Sequence, residues 1–250
     1  MGERESSTQP ASVVPDRYRV LSGSVLKLLA VVSMLVDHTA KRILVHYPWF
    51  MTPLFRLGST DVSWFVLCVS FGRIAFPIFC FLLVEGFVHT RDRRRYGINL
   101  LIFAILSEPI FDLSRTMTPY DPTYQNVFVT LFVSYLGLCA LEGLRDRPAL
   151  RAFGVLGLAL ASMGLLCDYG SRGYAMVLAL YVLREQPIVK TALGCCITTS
   201  TWRAGLAFVP INLYNGRRGF IRGPVLKYAF YAFYPLHLLA LWRLRIYLGF

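Results

Sequence analysis

Long apolar segments separated by short basic loops narrow the folding options of this chain more than any other feature. A helix needs about 20 apolar residues to cross a bilayer. Hydropathy places such segments near 24–46, 73–90, 97–113, 125–143, 152–167, 173–184, 190–213 and 225–248. Composition agrees, since 56% of the 250 residues are hydrophobic, more than an ordinary soluble domain carries. The expected fold is all-α: a polytopic integral membrane protein of about eight transmembrane helices. A ninth is added if 56–71 crosses rather than lying at the interface or re-entering. Residues 1–20 are polar and are expected to form a disordered cytoplasmic leader, with 21–250 as one transmembrane domain.

The net charge of +12 does not mark a nucleic-acid binder, because the basic residues cluster between apolar segments. Arg17 and Arg19 precede the first segment, Arg91 to Arg95 follow the second, and Arg145, Arg147 and Arg151 follow the fourth. This bias sets the N-terminus in the cytoplasm. Simple alternation then puts Arg217, Arg218 and Arg222 outside. Either 190–213 is a pair of re-entrant half-helices, or these arginines line a ligand site. The six cysteines lie in apolar surroundings without CxxC spacing and read as packing residues, and no metal site is expected. Nucleotide-loop, GxSxG and HExxH signatures are absent.

Lys27 and His38 are eleven residues apart in the first apolar segment. On a helix they share a face, about 16 Å apart along the axis. Ionisable groups at such depth face a polar path or a ligand by default. A donor with a phosphate head and a long arm suits that geometry. Asp37 points away from its neighbour His38 and is better placed to pair with Lys41, although a site role stays open. Glu85 and Glu108 need cationic or donating partners, and Arg73, Arg203, His89 and His237 are candidates. For Glu85 and Arg73, mutual pairing and ligand contact weigh equally.

Several blocks together carry a family resemblance. They are the run from Leu26 to His38, Gly72 to Arg91, Ser107-Glu-Pro-Ile-Phe-Asp112 and Asn126-Val-Phe-Val-Thr-Leu131. Asp168-Tyr-Gly170, Leu213 to Gly219 and Tyr228 to His237 complete the set. Residues 21 to 250 thereby resemble the TraX family, named for an inner-membrane protein that acetylates the N-terminus of conjugative pilin. The spacing Lys27 to His38 and the pair Arg91 and Arg94 are also similar to marks of the wider superfamily of multi-span membrane acyltransferases. Lys27 stands where Arg is usual there, keeping the charge and losing the bidentate fork.

The resemblance implies a transferase of the bacterial inner membrane that uses acetyl-CoA. In it, His38 would be base or nucleophile, with Asp37 and Glu85 in catalytic support. Donor contacts would come from Lys27, Arg73, Arg91, Arg94, Asn215, Arg217 and Arg218. Glu108, Asn126, Asp168, Tyr234 and His237 would face the acceptor or an acyl tunnel, although Tyr228, Tyr231 and Tyr234 also suit an interfacial aromatic stripe. The implied acceptor is the N-terminal amine of a pilin-like protein. A glycan or lipid hydroxyl of the cell envelope is the alternative acceptor. A non-enzymatic transporter or pilus-assembly factor is the third reading. Membrane lipids are expected partners and nucleic acid is not.

Overall fold

The computed structural model describes residues 13–250, most of which are helical. The helix α1 (Gly23–Arg42) starts at Ser22, whose hydroxyl accepts from the Val25 amide. It buries Leu26, Ala30, Ser33, Met34, Asp37 and Ala40 on one side. Val25, Leu28, Val32 and Leu35 remain exposed on the other. An apolar outer surface repeats on α5 (Arg93–Thr116) at Ile98, Leu101, Ile102 and Ile105, and on α7 (Pro148–Gly164) at Phe153, Leu156, Leu160 and Met163. Exposed apolar area on this scale marks a surface made to be covered.

After α1 the chain forms a short α2 (Pro48–Met51) and an antiparallel hairpin, β1 (Pro53–Leu57) with β2 (Thr60–Ser63). The turn uses Gly58 at φ +62°, a conformation that costs a glycine little. Next, α3 (Trp64–Gly72) leads directly into α4 (Ala75–His89). The remaining helices are α6 (Val127–Gly143), α8 (Gly170–Val182), α9 (Pro187–Ile197), α10 (Phe208–Asn212) and α11 (Gly223–Tyr247).

Polar ties fix which helix ends lie together. At the near end, the start of α1 is bonded to the 213–221 loop through Gly23 N to Arg217 O and Ser24 N to Arg218 O. Arg93 at the start of α5 pairs with Glu142 at the end of α6 at 2.9 Å, and Tyr181 near the end of α8 donates to the same carboxylate. At the far end, Gln125 bridges to Cys167 and His46 stacks on Phe250. Among the described residues, α1, α3–α4, α5, α6, α7, α8 and α11 therefore run from one end to the other.

Two expectations need correction. The 190–213 segment is not one crossing helix. The helix α9 is followed by a 3-10 segment (Thr199–Ala207), and α10 then returns antiparallel beside α9. Thr191 bonds Asn212, and Gly194 packs so closely on the Phe208 ring that a Cβ would lie 1.9 Å from it. Both feet of this arm thus lie at the near end, the first of the two options for Arg217 and Arg218. Second, 56–71 is a hairpin plus the first turns of a longer helix. The fold is accordingly not purely helical. Two helices among the described residues are long and apolar enough to cross a membrane, Trp64–His89 and Arg93–Thr116. Lys27, Asp37 and Lys41 interrupt the apolar character of α1, and α6 to α8 are shorter.

Of the expected leader, 1–12 lie outside the described residues. Residues Asp16–Tyr18 form a 3-10 turn, and Arg19 Nε donates to Tyr214 O at 2.8 Å.

This arrangement makes a sidedness prediction. In a cysteine-free background, single cysteines replacing the exposed Arg95, Glu185 or Arg217 should react with an impermeant thiol reagent from one side of the membrane. Cysteines replacing Gly58 or Thr118 should react from the other. Opposite labelling of Arg95 and Arg217 positions would contradict the return arm.

Candidate functional site

His38 on α1 meets His237 on α11. Their rings lie within 2° of parallel, and His38 Nδ1 is 2.7 Å from His237 Nε2. His237 Nδ1 is 2.7 Å from the Phe233 carbonyl, one helical turn earlier. A carbonyl only accepts, so His237 Nδ1 carries the proton and donates. In the neutral ring His237 Nε2 is then an acceptor, and His38 Nδ1 donates to it. His38 Nε2 is left with its lone pair, which is the state a general base or nucleophile requires. The Phe233 ring stacks on His237 and the Tyr234 ring meets His38 edge-on, holding both imidazoles in place.

A cavity of about 580 Å³ runs along the bundle beside this pair. Its near end carries Lys27, Arg218, Lys227, Glu85 and His89, and its inner walls include Met34, Phe128, Leu131, Tyr231 and Tyr234. On α1 the lining residues are Gly23, Lys27, Val31 and Met34, spaced by three or four and so on one helical face. His38 is the next turn of that stripe. It does not itself line the cavity; Tyr234 does, and Tyr234 also touches His38 and His237. The cavity thus has a cationic mouth, an apolar and aromatic barrel, and a histidine pair behind one tyrosine at its inner end.

The mouth is built by the 213–221 loop. Asn215 Nδ2 donates to Val20 O and its Oδ1 accepts from Arg217 N, so Asn215 shapes the loop. Ser24 Oγ donates to Arg218 O and accepts from Ile221 N. At Gly219, with φ +86°, a Cβ would fall 2.5 Å from Ser22 Oγ, so the turn needs glycine for both conformation and space. Of the two arginines in the loop, Arg218 lines the cavity and Arg217 is exposed.

The other expected site residues are distributed differently. Arg91 and Arg94 are exposed, and the helix breaks between His89 and Arg93, so the shared helical side assumed for them does not form. Glu85 pairs with His89 at 3.8 Å rather than with Arg73. Gly72 packs on Asp37, and Glu85 lies thirteen residues further, about 20 Å along the helix. Glu85 therefore belongs to the mouth and not beside His38. Arg73 lies at the far end, where its charge acts on Asp168 and Tyr169. Lys41 binds Asp37 at 2.7 Å. Asn126 caps α6, donates to Ala104 O and bonds Glu108 through a short contact to its carboxylate. Asp168 sits in the turn between α7 and α8, where burial pushes its carboxyl up to about 6. Lys227 in the mouth and Phe128 in the wall escaped sequence reasoning. Lys227 follows Arg222 by five residues at the start of α11 and reads in sequence as one more flanking cation.

The family model for the TraX protein matches residues 22–245. The chain belongs to the TraX family. The match begins at the residue that caps α1 and ends on α11 past His237, so the TraX region holds both the mouth and the histidine pair. A relative, the probable fimbrial assembly protein FimC, serogroup H1, of Dichelobacter nodosus, is 28% identical over 251 residues, spanning 89% of this chain and 95% of its own. No solved structure matches.

Two outcomes test this TraX chain's polar framework. Asn126→Ala removes a helix cap and strands the Glu108 carboxylate, so it should cost about 1–3 kcal/mol, read as a lower melting temperature in detergent. For Asp168, burial raises the folded pKa to about 6, above the unfolded value of about 3.9. Stability is then full below the unfolded pKa and is lost as the pH rises through about 6. The melting temperature of Asp168→Asn should accordingly gain on the parent between pH 4 and 6.5 and stay level above it.

Proposed function

We propose that this chain is a multi-pass acetyltransferase of the bacterial inner membrane, with its N-terminus in the cytoplasm. It takes acetyl groups from acetyl-CoA and passes them to the N-terminal amine of a pilin-like protein. The observation that carries the reading is the Phe233–His237–His38 hydrogen-bond chain, which leaves one basic nitrogen behind Tyr234, the residue that lines the inner end of a cavity with a cationic mouth.

The cavity residues fit such a donor. Lys27, Arg218 and Lys227 offer positive charge to phosphates, and the barrel of Met34, Phe128 and Leu131 suits an uncharged arm. The near end also holds Arg93 and Arg95 at the α5 start, in keeping with a cytoplasmic face. The exposed apolar exterior supports a lipid surrounding for the seven passes. In the transfer itself, the acceptor amine attacks the thioester carbonyl carbon, forming the C–N bond, while His38 Nε2 takes the amine proton. The C–S bond then breaks, and the departing thiolate recovers that proton from His38. His237 holds the Nδ1 proton of His38 and, through Phe233 O, stabilises the imidazolium that exists between the two steps. Asp37 acts through Lys41 to hold α1 and takes no proton.

The name of the Dichelobacter relative favours a second reading, a non-enzymatic role in pilus assembly. Purified protein with labelled acetyl-CoA and a synthetic peptide bearing a free N-terminal amine separates the two. His38→Ala should lower turnover by about 10²-fold or more with the melting temperature unchanged, and His237→Phe should lower it less while shifting the pH profile. Lys27→Ala with Arg218→Ala should raise the KM for acetyl-CoA and make it more sensitive to salt. Absence of transfer to amine and hydroxyl acceptors alike would leave the assembly role.

A further inference from the structure

A second set of cations lies beyond the histidines, at the far end. Arg42 is four residues after His38 on α1, and so shares its face. Arg245 on α11 follows Tyr234 by eleven residues and Trp242 by three, so it returns to the Tyr234 side. Arg115 on α5 stands one turn past Asp112. The helix α11 packs on both α1 and α5, which brings these three ends together, and the charges of Arg245, Arg115 and Asp37 act on Arg42. The Nε–H of Arg42, Arg115 and Arg245 and the indole N–H of Trp242 are all buried with no acceptor among the described residues. Four buried donors without acceptors on three helices are costly unless something accepts from them.

Of the carboxylates nearby, Asp37 is held by Lys41 and Asp121 by Arg115, Glu108 accepts from Asn126 and Asp112 Oδ2 accepts from Asp121 N. Asp37 Oδ1, Glu108 Oε1 and Asp112 Oδ1 are buried without a donor among the described residues, and none of these carboxylates pairs with Arg42 or Arg245. Arg42 and Arg245 have no ion-pair partner among the described residues. Two guanidinium groups without an ion-pair partner and four buried N–H groups without an acceptor suit a tetrahedral oxyanion, which accepts in several directions at once. The place is not the mouth, since Arg42 is fifteen residues from Lys27, about 22 Å along α1.

We propose that Arg42, Arg115, Arg245 and Trp242 form a phosphate-binding site at the end of the bundle opposite the Lys27 mouth. Its occupant is a phosphate group, borne by an anionic lipid or by a soluble molecule that reaches this face. A phosphate held there sits one helical turn from His38, so the site decides what can approach the histidine pair from the far side. The proposal stands on donor geometry and charge and holds whether or not the chain transfers acetyl groups.

The test uses full-length protein in dodecyl maltoside at constant ionic strength. Inorganic phosphate replacing chloride, or phosphatidylglycerol added to the micelles, should raise the melting temperature by several degrees. Stabilisation by the lipid alone assigns a headgroup, and stabilisation by inorganic phosphate assigns a soluble source. The gain should vanish in Arg42→Gln/Arg245→Gln and persist in Lys27→Gln/Arg218→Gln. In case the first variant does not fold, the unaltered protein gives a second measurement. Phosphate or the lipid should slow phenylglyoxal modification of Arg42 and Arg245 several-fold without slowing that of exposed Arg147. No stabilisation by either compound, stabilisation that depends on Lys27 and Arg218 only, or unchanged modification of Arg42 and Arg245 would each overturn the site.

Discussion

Ser24 ties together parts of the chain nearly two hundred residues apart. Its hydroxyl donates to Arg218 O and accepts from Ile221 N, while its amide donates to the same Arg218 carbonyl. In an apolar bundle, backbone groups of an irregular loop must find partners within the protein, and the Gly23 and Ser24 amides and the Ser24 hydroxyl in the first turn of α1 supply them. That tie brings the return arm and the start of α11 to the first turn of α1. With the start of α11 fixed there, fourteen residues of rise carry His237 to the level of His38, which lies the same number of residues beyond Ser24. The histidine contact is therefore a consequence of register set at the mouth.

Much of this was legible in the amino-acid order because period and spacing survive packing. The Lys27 to His38 interval predicts a shared face, and the cavity stripe on α1 follows it. The i,i+4 spacing of Asp37 and Lys41 selects their ion pair. What was not legible depends on neighbours that hydropathy does not see. The 190–213 run is apolar on average, so a window reads it as one span; Gly194 against the Phe208 ring is what lets it fold back. Hydropathy reads 56–71 as one short apolar segment, whereas Arg56 and Leu57 lie on a strand that pairs with Asp61 and Thr60 across Gly58. Sequence leaves Glu85 with several candidate partners, Arg73 and His89 among them, and the i,i+4 neighbour His89 is the one it meets. Arg42 and Arg245 read as basic ends of helices, and only the unfilled donors set them apart.

The polar groups divide the molecule along its length. The near end gathers Lys27, Arg218 and Lys227 around an open cavity, whereas the far end gathers Arg42, Arg115 and Arg245 around buried donors. Between them lies the histidine pair, flanked by Tyr234 and Phe233. Two cationic ends joined by a neutral, apolar middle keep anions apart, because an anion moving from one end to the other would have to shed its partners in the barrel. A neutral arm or an uncharged acyl group suits that middle, whereas the proton on His237 Nδ1 is held by the Phe233 carbonyl, where the hydrogen-bond chain ends. The same apolar packing that holds the helices together thus favours uncharged groups over anions in the barrel.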